Sequence, residues 1–315
     1  MNIKKKWNDL FSFKEDKETM EKKKAGYDLS SSRLKTIMFL LALFAEIGFI
    51  YYVAKIYGLV GEDVVDGDKI AVVDFKEQVT QEYVNKIIKS MEKVKKDDEY
   101  EEVLFIMNSP GGSPTASEEL SEYLKAYNKK KHITMYIQGI AASGGYYIAS
   151  AIKPLHSNKN AVVGSIGVIM PHYNIGELAE KIGIEEDDLS AGKFKKPISL
   201  FRKLEKDEKV YLKEQVLTPM YNNFIDSVAV NRELNVSELL PFTEGKIYMA
   251  NNKEIQGILI DEVLVLSTLK ARIEKSKKHD VSFVDIMPKT PIGIFGKGKV
   301  EVNLNLGDVL SSQLY

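Results

Sequence analysis

Between Lys35 and Lys55 the chain reads TIMFLLALFAEIGFIYYVA, nineteen residues with a single charge, Glu46. As a helix this run spans about 28 Å, close to the roughly 30 Å hydrocarbon core of a bilayer. An acid near the centre of a spanning helix costs about 2.5 to 3.5 kcal/mol, whereas each Leu, Ile, Phe or Val contributes roughly 0.3 to 0.6 kcal/mol in favour. The run holds ten such residues. Insertion is therefore expected, with Glu46 protonated or facing a partner helix.

A cleaved signal peptide is the rival reading. Its apolar core would be about 7 to 15 residues long, behind a short basic segment and ahead of a small-x-small site. Here 35 residues precede the run and YYVAKIYG offers no such site, so an uncleaved anchor is expected. Lys22, Lys23, Lys24, Arg33 and Lys35 lie before the span. Positive charge stays inside, so the N-terminus is expected in the cytoplasm and the chain from about residue 56 outside. The predicted organisation is a basic cytoplasmic segment (1–35), an anchor (36–54) and an extracytoplasmic domain (56–315).

Charge supports the same division. The net charge of -1 conceals ten Lys/Arg against six Asp/Glu in the first 35 residues, so the remaining 280 carry about -5. A body of that sign offers no basic surface for nucleic acid. The chain has no cysteine, which excludes disulfides, thiolate nucleophiles and cysteine-ligated metals. With 44% hydrophobic residues it can bury a substantial core. No cofactor or metal is expected.

The body alternates strand-like and helix-like segments. KIAVVDF (69–75), VLFIMN (103–108), ITMYIQ (133–138) and AVVGSIGVIM (161–170, broken by glycines) read as strands. TQEYVNKIIKSMEKVKKD places Val84, Ile87, Ile88, Met91 and Val94 at helical spacing, and TASEELSEYLKAYNKKK reads as a second amphipathic helix with Thr115 or Ser117 as its cap. Strand and helix alternating at intervals of about 30 residues predict an α/β core with parallel strands, with no internal sequence repeat. Residues 201–234 read as one or two longer helices interrupted near Pro219, EGKIYMANNKEIQGILIDEV as strand, helix and strand, and VSFVDIM and KVEVNLNL as late strands.

In such sheets the reacting groups gather beyond the C-terminal ends of the strands. Two of these ends carry glycine pairs, NSPGGSP and GIAASGGYY. Paired glycines let backbone N–H groups point outward unobstructed, as an oxyanion hole requires, although each pair alone is also an ordinary turn. Ser143 opens a predicted short helix in the second pair and is the candidate nucleophile. Its base is less legible. Of the four histidines (132, 156, 172, 279), His156 and His172 lie close enough in sequence to be considered, but PLHSN reads as an exposed loop and no acid is placed to orient either. A desolvated lysine can serve instead. LSAGKFKKPIS (189–199) reads from composition as a solvated loop, with Lys193 and Lys195 on one side of an extended stretch and Phe194 on the other; nothing internal to it singles out Lys195.

Taken together, FIMNSPGGS, GIAASGGYYIAS, AVVGSIGVIM and SAGKFKK, in this order and at these separations, resemble the signal peptide peptidase A family of bacterial membrane serine proteases. The similarity runs from about residue 69 to about 265. It implies a crotonase- and Clp-protease-like α/β core behind one N-terminal transmembrane helix, anchored in the bacterial cytoplasmic membrane. It also implies Ser143 as nucleophile, Lys195 as general base, Ser165 as the residue orienting that lysine, and the N–H groups of Gly112 and Gly144 as the oxyanion hole. The implied activity is degradation of remnant signal peptides by a homo-oligomer whose sites open toward the bilayer. Two departures stand out. Lys196 follows the proposed base where the family usually has an acid, so a second cation near Lys195 would lower its pKa, and GILIDEV is one residue longer than the family pattern. A crotonase-type acyl-CoA hydratase or isomerase and a non-catalytic membrane scaffold are the alternatives.

Overall fold

The structure is a computed structural model that describes residues 17–56, 68–277 and 279–287. It divides into two units. The first is a 40-residue helix, α1 (Lys17–Ile56). Within it Ser32–Ala54 is long and apolar enough to cross a membrane, about 34 Å at the helical rise. Its large apolar side chains, Phe39, Phe44 and Phe49 among them, are exposed.

The second unit is the α/β body. Its sheet has the order β6-β5-β3-β2-β1-β8, with β4 against β3 and β7 against β4. The strands are β1 (Asp68–Phe75), β2 (Tyr100–Ser109), β3 (Ile133–Ala142), β4 (Leu155–Ser157), β5 (Val162–Gly164), β6 (Ile247–Met249), β7 (Glu262–Val263) and β8 (Val281–Asp285). Every pairing is parallel except β5 with β6. This is the α/β class the alternation predicts.

Because successive strand residues point to opposite faces, continuous apolar runs imply a sheet covered on both sides. Val73, Phe75, Phe105, Met107 and Ile137 face one core, while Ile70, Val72, Leu104, Ile106 and Tyr136 face another. The first core is closed by α2 (Gln81–Lys95), α3 (Pro114–Asn128), the short α4 (Gly144–Ala149) and, past the small α5 (Gly176–Lys181) and α6 (Lys206–Leu212), by α7 (Thr218–Arg232). A one-turn α8 (Val236–Leu239) comes next. The second core is closed by α9 (Leu266–Ser276) through Leu269 and Ile273.

Several local expectations are corrected. The cap of α3 is Ser113, whose Oγ accepts from Ala116 N–H; Pro114 then takes the first helical position, where a missing N–H costs nothing. PLHSN is no exposed loop: it contains β4, and His156 is buried, with burial pushing its imidazole pKa down. The fourth strand shrinks to Val162–Gly164, because its neighbour β3 is shared. Residues 135–137 of β3 pair with β4 and residues 140–142 pair with β5. The interruption near Pro219 is a π turn, Lys213–Leu217, whose wider loop lets Thr218 N–H bond to Lys213 O. KVEVNLNL lies outside the described residues.

A buried ion pair ties the end of α7 back to the sheet. Arg232 reaches both oxygens of Asp261 at 2.8 and 3.0 Å, and its Nε donates to Ile258 O. The Leu155 N–H donates to the same carboxylate at 2.6 Å, which fixes the start of β4.

Candidate active site

The register shift between β2 and β3 shapes the site. Met107 pairs with Ile137 but Ser109 with Ala141, so β3 carries two extra residues at this point. The Asn108 Oδ1 fills the gap by accepting from Ile140 N–H at 3.0 Å. Such a bulge bends the strand and re-aims the residues beyond it. The first residue beyond β3 is Ser143.

Ser143 precedes α4 with φ 51° and ψ -125°, a region an L residue occupies only under constraint. Its N–H donates to Gly164 O at 2.9 Å and its carbonyl accepts from Tyr147 N–H at 3.0 Å. The backbone is thus held at both ends while the hydroxyl is left without a partner among the described residues. Ser165 occupies the matching place after β5, with φ 54° and its N–H donating to Lys246 O at 2.7 Å.

The glycine pair after β2 is cross-braced onto the segment before α2. Val79 N–H donates to Gly111 O and Ser113 N–H to Val79 O, both at 2.8 Å. Gly112 itself has φ 152°, and a Cβ there would run into the Val79 carbonyl. The Gly112 and Gly144 amides donate to no other described residue. They are close: a Cβ built on Gly144 would lie 3.3 Å from the Gly112 nitrogen. Two unpaired N–H groups beside a strained serine are the kind of donor that an acyl-transfer oxyanion requires.

Ser143, Gly112, Gly144 and Ser165 all line one groove of about 860 Å³. Its apolar lining includes Tyr147, Val168, Ile169, Met220 and Phe224. The Tyr147 and Phe224 rings stand 5.1 Å apart, and Tyr147 Oη donates to Ser227 Oγ at 2.8 Å. Glu118 and Glu244 also line it; no described histidine or lysine does. His156 lies instead 3.1 Å from Glu262, and the His172 Nε2 meets Ser199 O at 2.8 Å.

Lys195 is therefore the predicted site residue that a single chain does not bring to the groove. It is exposed, on the long excursion between β5 and α6. The extended reading of its segment is corrected: Lys195 N–H bonds to Gly192 O at 3.1 Å, closing a turn that Gly192 opens with φ 101°. Lys196 is not an uncompensated cation, because Glu186 (2.6 Å) and Asp188 both pair with it. Those hydrogen bonds hold the Lys196 ammonium above the usual lysine range.

Sequence reading missed Ser117 as a groove residue and Tyr147 and Phe224 as its walls. Ser117 is fully buried, and its Oγ crowds the position a Gly144 side chain would take. The signal available for Tyr147 was its spacing, one helical turn after Ser143.

Known peptidases resemble the part of the chain that carries Ser143, Gly144 and Ser165. The profile of peptidase family S49 matches residues 125–280. A protein described as a protease in Methanocaldococcus jannaschii is 36% identical over 176 residues, 56% of each chain. A protein named for signal peptide peptidase A in Enterococcus faecium is 30% identical, over 60% of this chain and 54% of the relative. The chloroplastic serine protease SPPA of Arabidopsis thaliana is 25% identical over 61% of this chain. The matched region spans about half the length of the first two relatives and 29% of the third.

Proposed function

Because the chain belongs to peptidase family S49, we propose that it is a membrane-anchored serine endopeptidase that uses Ser143 and Lys195 to cleave apolar peptides, remnant signal peptides among them. The observation that carries this reading is Ser143, strained at the mouth of α4 beside the two unpaired amides of Gly112 and Gly144. In this reading a neutral Lys195 amine takes the Ser143 proton as Oγ attacks the peptide carbonyl. The carbonyl oxygen becomes an oxyanion held by the two amides. On collapse the C–N bond breaks, Lys195 returns the proton to the leaving amine, and the acyl group stays on Oγ. Water then repeats the attack, with Lys195 as base, and restores the Ser143 hydroxyl.

The base reaches the groove from a neighbouring copy. Two observations support this. Lys195 is exposed and outside the groove of its own chain, and the excursion that carries it displays Ile169, Tyr173, Leu178, Ile182 and Leu189 to solvent. Apolar side chains in that number on one segment mark a surface made to be covered. A homo-oligomer would cover it and complete the site. The Ser32–Ala54 segment of α1 would anchor the assembly, with the N-terminus in the cytoplasm and the peptidase body outside.

Labelling with a serine-directed phosphonate and then mapping the modified peptide tests the reading. The modified residue is expected to be Ser143, and the Ser143→Ala chain is expected to take no label and cleave no peptide. A chain that labels elsewhere, or a Ser143→Ala variant that keeps full activity, sinks it.

A further inference from the structure

Of the four consecutive residues Lys193 to Lys196, three side chains are fixed by partners and one is not. Lys193 pairs with Asp207 in the first turn of α6. Phe194 stacks on Tyr211 of the same helix, ring centroids 4.6 Å apart and planes within 15°. Lys196 is gripped by Glu186 at 2.6 Å and by Asp188. The second oxygen of Glu186 accepts from Ser199 Oγ, so one carboxylate holds the chain on the C-terminal side of Lys195 at two points. Arg202 adds a third by donating to Lys196 O at 3.1 Å, while the buried Glu208 grips its guanidinium at 2.7 Å on both sides. The Lys195 side chain alone has no partner among the described residues.

Residues 189–196 are all exposed, so the conformation of the turn rests on these polar and aromatic pins. An exposed loop whose lysines merely solubilise it has no reason to tie down both neighbours of one amine and leave that amine loose. We propose that residues 186–211 form a mount for Lys195 in which Glu186, bridging Lys196 and Ser199, is the positioning residue for the general base. The inference rests on the reading of Lys195 as that base. The mount has a second effect: Glu186 and Asp188 balance the Lys196 charge, so Lys195 stands beside a neutralised neighbour. The hydrogen bonds from Lys196 and Ser199 hold the Glu186 carboxyl below the usual carboxylate range, as a carboxylate committed to both partners requires.

The test is steady-state cleavage of an apolar fluorogenic peptide by the full-length chain in detergent, with assembly monitored by size-exclusion chromatography. Glu186→Gln is expected to assemble normally and keep its KM, while kcat falls by about 10- to 100-fold, the cost of a loosened catalytic group. Glu186→Asp, which keeps the charge, is expected to recover part of that loss. Lys195→Ala is the companion variant. A Glu186→Gln enzyme with wild-type kcat beside an inactive Lys195→Ala overturns the mount and leaves the base standing. Wild-type kcat in Lys195→Ala removes the base and the mount together. Should Glu186→Gln fail to assemble, Asp188→Asn and Phe194→Leu each loosen the turn while leaving the Glu186 bridge, and unchanged kcat in both overturns the mount.

Discussion

Ser143 and Ser165 stand side by side, each one residue beyond the paired ends Ala142 and Gly164 of the parallel strands β3 and β5, and each in left-handed backbone. The pairing is direct, since Ser143 N–H donates to Gly164 O. A non-glycine residue held there costs about 1 to 3 kcal/mol. Two such residues at adjacent strand ends place backbone strain side by side on the lining of one groove.

That strain makes a prediction that separates stability from activity. Ser165→Gly relieves the backbone and is expected to leave stability unchanged or raise it by up to about 1 kcal/mol. Ser165→Ala keeps the strain. Both remove the hydroxyl proposed to orient Lys195, so both should lose peptidase activity by about tenfold or more. Urea unfolding and peptide cleavage measured on the two variants check this; a fully active Ser165→Gly would end the orienting role.

Gly144 gives a prediction with a built-in rescue. A methyl group there meets Ser117 Oγ, which is itself fixed by donating to Ser113 O at 2.8 Å. Gly144→Ala should therefore displace one oxyanion donor and lower kcat by about 100-fold, within the range for loss of one such donor. Adding Ser117→Ala removes the obstructing oxygen and should restore part of the rate. Kinetics of the single and double variants decide it: no recovery in the double variant would mean that the amide is not the group the methyl disturbs.

The order of strands and helices was legible because parallel strands covered on both faces are written as continuous apolar runs, VLFIMN and ITMYIQ among them. The features that escaped were set by tertiary context. PLHSN has turn-like composition, yet Leu155–Ser157 is a strand because β3 offers it half an edge and Asp261, over a hundred residues away, accepts from Leu155 N–H. Ser117 reads as a cap from its residue type; Pro114 moves the helix start back and turns Ser117 inward. The glycine pairs and Ser143 could be named as candidates from residue types alone. Lys195 was not, since its segment is the solvated turn its composition suggests and only family resemblance distinguished it.

The Arg232–Asp261 pair predicts an acid-sensitive stability. Burial acts to raise the Asp261 carboxyl pKa, but hydrogen bonds from Arg232 and Leu155 N–H outweigh it and hold the group below the usual aspartate range. A carboxyl depressed in the folded state contributes stability that is fully present above its unfolded value and lost as pH falls through the folded one. Asp261→Asn leaves the Arg232 guanidinium buried without its counter-charge and should cost about 3 kcal/mol at pH 7. Urea titrations of both chains should show that gap constant above about pH 5 and narrowing below about pH 4. A gap that does not narrow in acid would show that the pair is not its source.

The sharpest prediction concerns where the base comes from. If each groove takes Lys195 from a neighbouring copy, Ser143→Ala and Lys195→Ala chains are complementary defects, each inactive alone. Co-expressed in equal amounts, they should build mixed assemblies in which about a quarter of the sites pair an intact Ser143 with an intact neighbouring Lys195, as head-to-tail contacts allow. Those sites should cleave peptide and take the phosphonate label, and the label should map only to chains carrying Lys195→Ala, since only these keep Ser143. A dyad within one chain predicts no activity at any ratio, because every chain then lacks one partner. Varying the expression ratio sharpens the result: recovered activity should peak at equal amounts and fall to zero at either extreme, a dependence that contaminating wild-type enzyme cannot reproduce.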